Sequence, residues 1–177
     1  MLDAATPALS PATGTVQPVP HRAIVSLSAF KGQGPALSAA LGVALPTTPR
    51  RVTHNGTTYL WSGPNAWLAI SPSETLFETL SPAAPHAALT EQSDGHFLFR
   101  VTGPHARAIL AKLVPIDLHE SVFPADAVAL TLAAHLGVKL WREDDSFLLA
   151  CFRSFAGALH HALLEASHEF EFLPARG

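Results

Sequence analysis

Two stretches of this chain repeat one another. Residues 60–71 read LWSGPNAWLAIS and residues 140–151 read LWREDDSFLLAC: a Leu-Trp pair, a polar or turn-rich segment, and a new apolar run in the same places. Self-similarity of this kind restricts a chain to folds assembled from matching units that bury a face against each other. At 177 residues the chain has the length of one domain, or of a duplicated unit fused into one compact body.

The rest of the sequence arranges itself around that pair. Residues 22–30 (RAIVSLSAF) have the β-branched apolar character of a strand, and residues 34–45 (GPALSAALGVAL) carry small and leucine residues at helical spacing, ending near Gly42 and Pro46. Asn55-Gly56 lies between two β-prone runs, a strong hairpin signal. The strand AWLAIS follows Gly63-Pro64, and Pro72-Ser73 open a helix through SETLFETL. The order recurs downstream. HFLFRV (96–101) is a strand, and GPHARAILAKL (103–113) is an amphipathic helix. AVALTLAA, GVKLWRE and SFLLACF are three strands, and RSFAGALHHALLEASHEF is a closing helix. Half-repeats of order β-α-β-β-β-α are therefore expected at about 22–82 and 96–168, giving an α+β fold. Residues 1–21, with four prolines, are expected to form an extended or flexible arm. In each half the aromatic residue opening the last strand, Trp67 or Phe147, is positioned to meet the Leu-Trp pair across neighbouring strands.

Charge excludes one function class. The net charge is −3 and no basic cluster exists, so the electrostatic footprint of nucleic-acid binding is missing. Only 14% of residues are Asp, Glu, Lys or Arg, against roughly 25% in an ordinary soluble domain. That shortage fits either large uncharged areas reserved for another protein or an alanine-rich composition. A single cysteine, Cys151, permits no internal disulfide or zinc finger and suits a reducing, cytoplasmic setting. The opening residues show no charged region followed by a long apolar block, so neither a signal peptide nor a membrane anchor is expected.

Candidate chemistry is sparse. His161, Glu165 and His168 stand at i, i+4 and i+7 and could share one helix face, yet HExxH is absent and a solvated polar stripe is the expected reading; no metal site is assigned. His160 and His161 point to different faces. His105 and Arg107, beside the Gly103-Pro104 helix start, form the best small-ligand suggestion, an anion site, although Gly-Pro is ordinary punctuation before a helix. KGQGP (31–35) lacks the spacing of a phosphate-binding loop and reads as a turn. Cys151 lies in an apolar strand, Ser71 and Ser154 have no G-x-S-x-G context, and no nucleophile is placed beside Asp117, His119 and Glu120. No catalytic residue is expected.

Three segments taken in order carry a resemblance: LWSGPNAWLAI, RVTGPHARAILAKLVPIDLHESVFP and LWREDDSFLLACFRSFAGAL. Together, over about residues 22–164, they resemble the γ subunit of heterotetrameric sarcosine oxidase. The family pattern prefers an acidic residue where Ala66 stands, and a proline and a basic residue where Glu120 and Ser121 stand. The resemblance implies a fold like the folate-binding module of aminomethyltransferases. It also implies an assembly of α, β, γ and δ chains that demethylates sarcosine oxidatively to glycine, forming hydrogen peroxide and 5,10-methylenetetrahydrofolate. FAD, FMN and NAD are then expected on the α and β chains and zinc on δ, with no cofactor on this chain, which would pack directly on α. The alternative is a free-standing folate-binding or aminomethyltransferase-like protein, for which Arg107 and Arg153 are the available cations.

Overall fold

The computed structural model describes residues 16–20 and 22–170. The expected arm is therefore outside the described residues for 1–15 and 21, and within the rest Val16–Pro18 form strand β1. The elements that follow are β2 (Ala23–Ala29), α1 (Gly34–Leu41), β3 (Arg51–His54), β4 (Thr57–Gly63), β5 (Ala66–Ser71) and α2 (Leu76–Leu80). Then come β6 (Ala87–Glu91), β7 (His96–Val101), α3 (Ala106–Ala111), β8 (Val128–Ala133), β9 (Leu136–Glu143), β10 (Ser146–Phe152) and α4 (Ala156–Ser167). No described helix is long and apolar enough to cross a membrane.

Local chemistry accounts for most of these boundaries. Pro35 sits in the first turn of α1, and Gly42 ends it in the left-handed region at φ 65°, its N–H returning to the carbonyls of Ser38 and Ala39. Asn55 and Gly56 both take positive φ, 48° and 74°, as a two-residue hairpin turn requires. Helix α2 begins later than Pro72-Ser73 suggests. The Ser71 hydroxyl accepts the Ser73 N–H at 3.1 Å and the Ser73 and Thr75 hydroxyls bond at 2.9 Å, which holds 71–75 as a turn.

The strands form two antiparallel sheets with matching orders. Sheet 1 runs β3-β4-β5-β2-β6 and sheet 2 runs β8-β9-β10-β7-β1. The edge strands cross over. Strand β1 precedes β2 in the chain but pairs with β7, Val16 opposite Val101, whereas β6 precedes β7 and pairs with β2, Leu89 opposite Leu27. Neither β1 nor β6 was signalled by the sequence. The sheets also meet at a corner, where Arg51 N donates to Asp126 O at 2.7 Å and Val128 N to Pro49 O at 3.1 Å.

The layers stack as helix, sheet, sheet, helix. Leu37 of α1 and Leu76 and Leu80 of α2 pack on one face of sheet 1 with Val25, Leu27, Trp67 and Ala69. Ile109 and Leu110 of α3 are fully buried, and Leu110 packs with Leu159 and Leu163 of α4 on Phe99, Leu140 and Leu149 of sheet 2. Between the sheets lie Ile24, Leu60, Leu68, Ile70, Leu98, Val128, Trp141 and Leu148.

Here the repeated Leu-Trp letters part company. A bulge between Trp61 and Gly63 shifts the register of β4 against β5, with Gly63 at φ 146°. A one-residue slip turns every side chain of a strand to the other face. Leu60 thus points between the sheets and Trp61 toward the helices, while in β9 it is Leu140 that faces the helices and Trp141 the layer between the sheets. The register that such a cross-strand aromatic pair needs is present in one sheet only, where Trp61 lies opposite Trp67. In the other, Trp141 lies opposite Leu148 and Phe147 opposite Arg142.

Candidate functional site

The side chains singled out from sequence are scattered over the fold. Two of them, His105 and Arg107, stand at the start of α3, after Gly103 at φ 92°. The His105 ring stacks on Phe170, centroids 5.1 Å apart, with Nε2 buried and without a partner among the described residues. Arg107 donates to Glu120 Oε1 at 3.2 Å, and Arg142 approaches the same oxygen at 3.7 Å while lying over the Phe147 ring. The cation proposed for an anion thus already has a carboxylate, one the sequence had placed only in an adjacent loop. Lys112 further along α3 donates to Ala166 O at 3.1 Å and lies 4.7 Å from the Phe170 ring centroid. These contacts bind α3 to the 116–123 loop and to the end of α4. In that loop Asp117 Oδ1 accepts the His119 N–H at 2.8 Å, and His119 Nδ1 lies 2.8 Å from Ser121 Oγ, so the ring and both acids are held by local partners.

Other candidates settle into packing or solvent. Cys151 is buried, its thiol 3.8 Å from Phe97 O, and burial pushes its pKa up to about 11, far from the thiolate needed for nucleophilic work. His160 stacks on Phe99 at 5.4 Å, and burial, with His161 as a second cause, lowers its pKa. His161 and Glu165 are exposed and 3.7 Å apart, and His168 caps α4. Among the described residues no three His, Cys, Asp or Glu side chains converge as a metal site. Ser71 is occupied by its bond to Ser73, Ser154 is exposed in the turn before α4, and KGQGP divides between a turn at Lys31-Gly32 and the start of α1 at Gly34, with the Gln33 side chain meeting His86 at 3.0 Å. Arg153 donates to Asp94 O at 2.6 Å.

Two features escaped the sequence reading because residues distant in the chain build them. One is a cleft of about 320 Å³ at the mouth between the sheets, with Arg22 and Arg51 on one side, Glu143 and Asp144 on the other, and Trp141 at its floor. The Trp141 indole N–H is buried without a partner, and Glu143 already binds Arg100. The other is a shallow groove of about 390 Å³ at the end of sheet 2's inner face, beyond the part covered by sheet 1, where Leu130, Leu132 and Phe152 are 45%, 48% and 56% exposed. Burial lowers the pKa of Lys139 there, and of His96, whose ring is also held down by the Lys139 charge and partly restored by its bond to Gln92 O.

Comparison with known proteins gives this geometry a context. Residues 28–169 match the family described as sarcosine oxidase, gamma subunit. A sarcosine oxidase subunit gamma from Corynebacterium sp. (strain P-1) is 31% identical over 171 residues, covering 91% of this chain and 84% of that protein. The counterpart from Corynebacterium sp. (strain U-96) is 33% identical over 141 residues, 76% of this chain and 69% of that one. Among solved structures, a chain of heterotetrameric sarcosine oxidase from Corynebacterium sp. U-96, in complex with pyrrole 2-carboxylate, superposes with TM-score 0.81 at 29% identity, covering 91% of this chain and 87% of that chain. The glycine cleavage system aminomethyltransferase T from Bartonella henselae shares the fold at 18% identity and TM-score 0.62, over 84% of this chain and 45% of its own. With a family match over most of its length and a matching mixed fold of two antiparallel sheets, the chain belongs to the sarcosine oxidase gamma subunit family.

Proposed function

We propose that this chain is the non-catalytic γ subunit of a heterotetrameric sarcosine oxidase, seated on the large α chain. The assembly would demethylate sarcosine oxidatively to glycine, with hydrogen peroxide and 5,10-methylenetetrahydrofolate as the other products. FAD, FMN and NAD belong in this reading to the α and β chains, and tetrahydrofolate to the complex. One observation carries it: a likeness at TM-score 0.81 to a chain of such an enzyme, spanning nearly all of both chains. The side chains add support, since Arg107, Glu120 and Cys151 are taken up by ion pairing or burial. The test is co-expression with the α, β and δ chains. The purified complex should contain this chain in fixed ratio and oxidise sarcosine, and this chain alone should show no turnover. Turnover by the isolated chain, or no association, overturns the reading.

A second reading, a folate-binding protein, draws on the cleft between the sheets. Glu143 and Asp144 could meet a pterin edge and Arg22 and Arg51 a glutamate tail. Tetrahydrofolate titrated into the isolated chain by calorimetry separates the two. Saturable heat that disappears in Arg51→Ala favours folate binding, and its absence leaves the subunit reading.

A further inference from the structure

Strand β8 is an edge strand with little to protect it. Its sequence, VALTLA, contains no charge and no proline, the usual devices against unwanted pairing. Near its start the corner contacts with Pro49 and Arg50 hold the edge, whereas beyond them only β9 pairs with it. Val128, Leu130 and Leu132 alternate on the face turned toward sheet 1, but sheet 1 covers only Val128. The uncovered rows are Leu132 beside Gly137, Phe152 beside His96, and Leu130 beside Lys139, which in turn lies opposite Ala150. Sheet 1 offers no such surface. With Ile24 matching Leu98 and Ile70 matching Ala150, the positions of sheet 1 that correspond to His96, Lys139 and Leu130 are Arg22, Thr58 and Thr53.

The charge on this patch is one-sided. Lys139 has no carboxylate within ion-pair distance among the described residues, and the neighbouring titratable side chains on this face and its rim are His96 and the turn residue His135. Asp94, in the turn before His96, is fully exposed and lies 4.0 Å from Arg153. A lysine partly withdrawn from water among leucines is costly unless an opposite charge arrives with the surface that completes its burial. A second copy meeting this face would bring another lysine and no carboxylate. The chain's own ends leave the described residues elsewhere, since Val16 pairs with Val101 and Phe170 stacks on His105, both at the opposite end of β7 from His96 and Phe152.

Resting on the subunit reading above, we propose that the uncovered end of sheet 2, centred on Leu130, Leu132, Lys139 and Phe152, is the seat of another subunit of the assembly, which presents an apolar segment carrying a carboxylate to Lys139. The apolar side chains supply the desolvated centre of the interface, and the lysine selects the partner and fixes its register.

The test uses the full chain co-expressed with the α, β and δ chains, with the affinity of this chain for the rest measured by biolayer interferometry. Leu132→Asp and Lys139→Glu should each weaken association by about tenfold or more, while Phe77→Asp, exposed on α2 at the helix face of sheet 1, should leave it unchanged. Wild-type association that survives both changes at the patch overturns the proposal and leaves the subunit reading standing. Failure of the wild-type chain to associate overturns the subunit reading instead. Should a variant lose its thermal transition, amide exchange on the wild-type complex decides: protection gained over residues 128–139 supports the seat, and unchanged exchange removes it. A wild-type chain that dimerises alone, and becomes monomeric on Leu132→Asp, would assign the face to a second copy and overturn the partner named here.

Discussion

Trp141 is 1% exposed in the layer between the sheets, packed among Leu60, Leu148 and Val128, whereas Trp61 is half-buried over the helix layer of sheet 1. Truncating a fully buried ring costs its transfer free energy and leaves a cavity, so Trp141→Ala should lower stability by about 3–5 kcal/mol and Trp61→Ala by clearly less. Denaturant melts of the two variants check the order; equal losses would contradict the opposite facing of the pair. Two other side chains set a pH response. His96 and His160 both titrate below the usual histidine value of 6.5, chiefly because burial disfavours the imidazolium. Above that value both are neutral in either state. As pH falls through it the unfolded chain takes up protons first, so stability is whole at pH 7–8 and declines through the window between 6.5 and the lower native values. Melting temperatures should fall over that range, and His160→Phe, which keeps a ring against Phe99, should flatten the slope.

At the scale of elements, the decisive irregularity is the bulge at Gly63. Its φ of 146° is one that side-chain-bearing residues seldom adopt, although nothing lies within 4 Å of where a Cβ would stand. Gly63→Ala should therefore cost about 1–3 kcal/mol through backbone strain alone. Gly137→Ala, equally open but without a positive φ, should be nearly neutral, and paired thermal melts distinguish the two. This bulge also explains what the sequence could and could not reveal. Asn55-Gly56, Pro35 and Gly42 announce their turns and caps because each conformation has a preferred residue. The turn at Ala134-His135, both at positive φ, is announced by no such residue and was bracketed only by the apolar runs on either side. Register has no local signature. An ungapped match between two Leu-Trp pairs suggested equal packing where one inserted residue had exchanged their faces.

At the scale of the molecule, a compact α+β fold could be inferred from the order of elements, because amphipathic strands and helices must bury their apolar faces on one another. The exchange of β1 and β6 could not, since PHAALTEQ and VQP are too short and too polar to declare a strand without their partners. The candidate site stayed hidden for a related reason. The cleft draws Arg51 from β3 and Glu143 from β9, and Arg107 finds Glu120 across a loop, so spacing along the chain carries no trace of either. The two sheets share the inner layer and each borrows an edge strand, so neither half should melt on its own. Calorimetry should give one transition with equal van't Hoff and calorimetric enthalpies, and two resolved transitions would refute this coupling.

The crossing of β1 into sheet 2 also imposes an order on biosynthesis. Strand β1 leaves the ribosome long before its partner β7 has been translated, and must wait without a hydrogen-bonded neighbour while β2 to β6 assemble beside it. The first of the described strands to be made is among the last to lock. A nascent chain arrested before Val101 would display that waiting segment to chaperones and proteases, so its capture marks the passage of synthesis beyond β7.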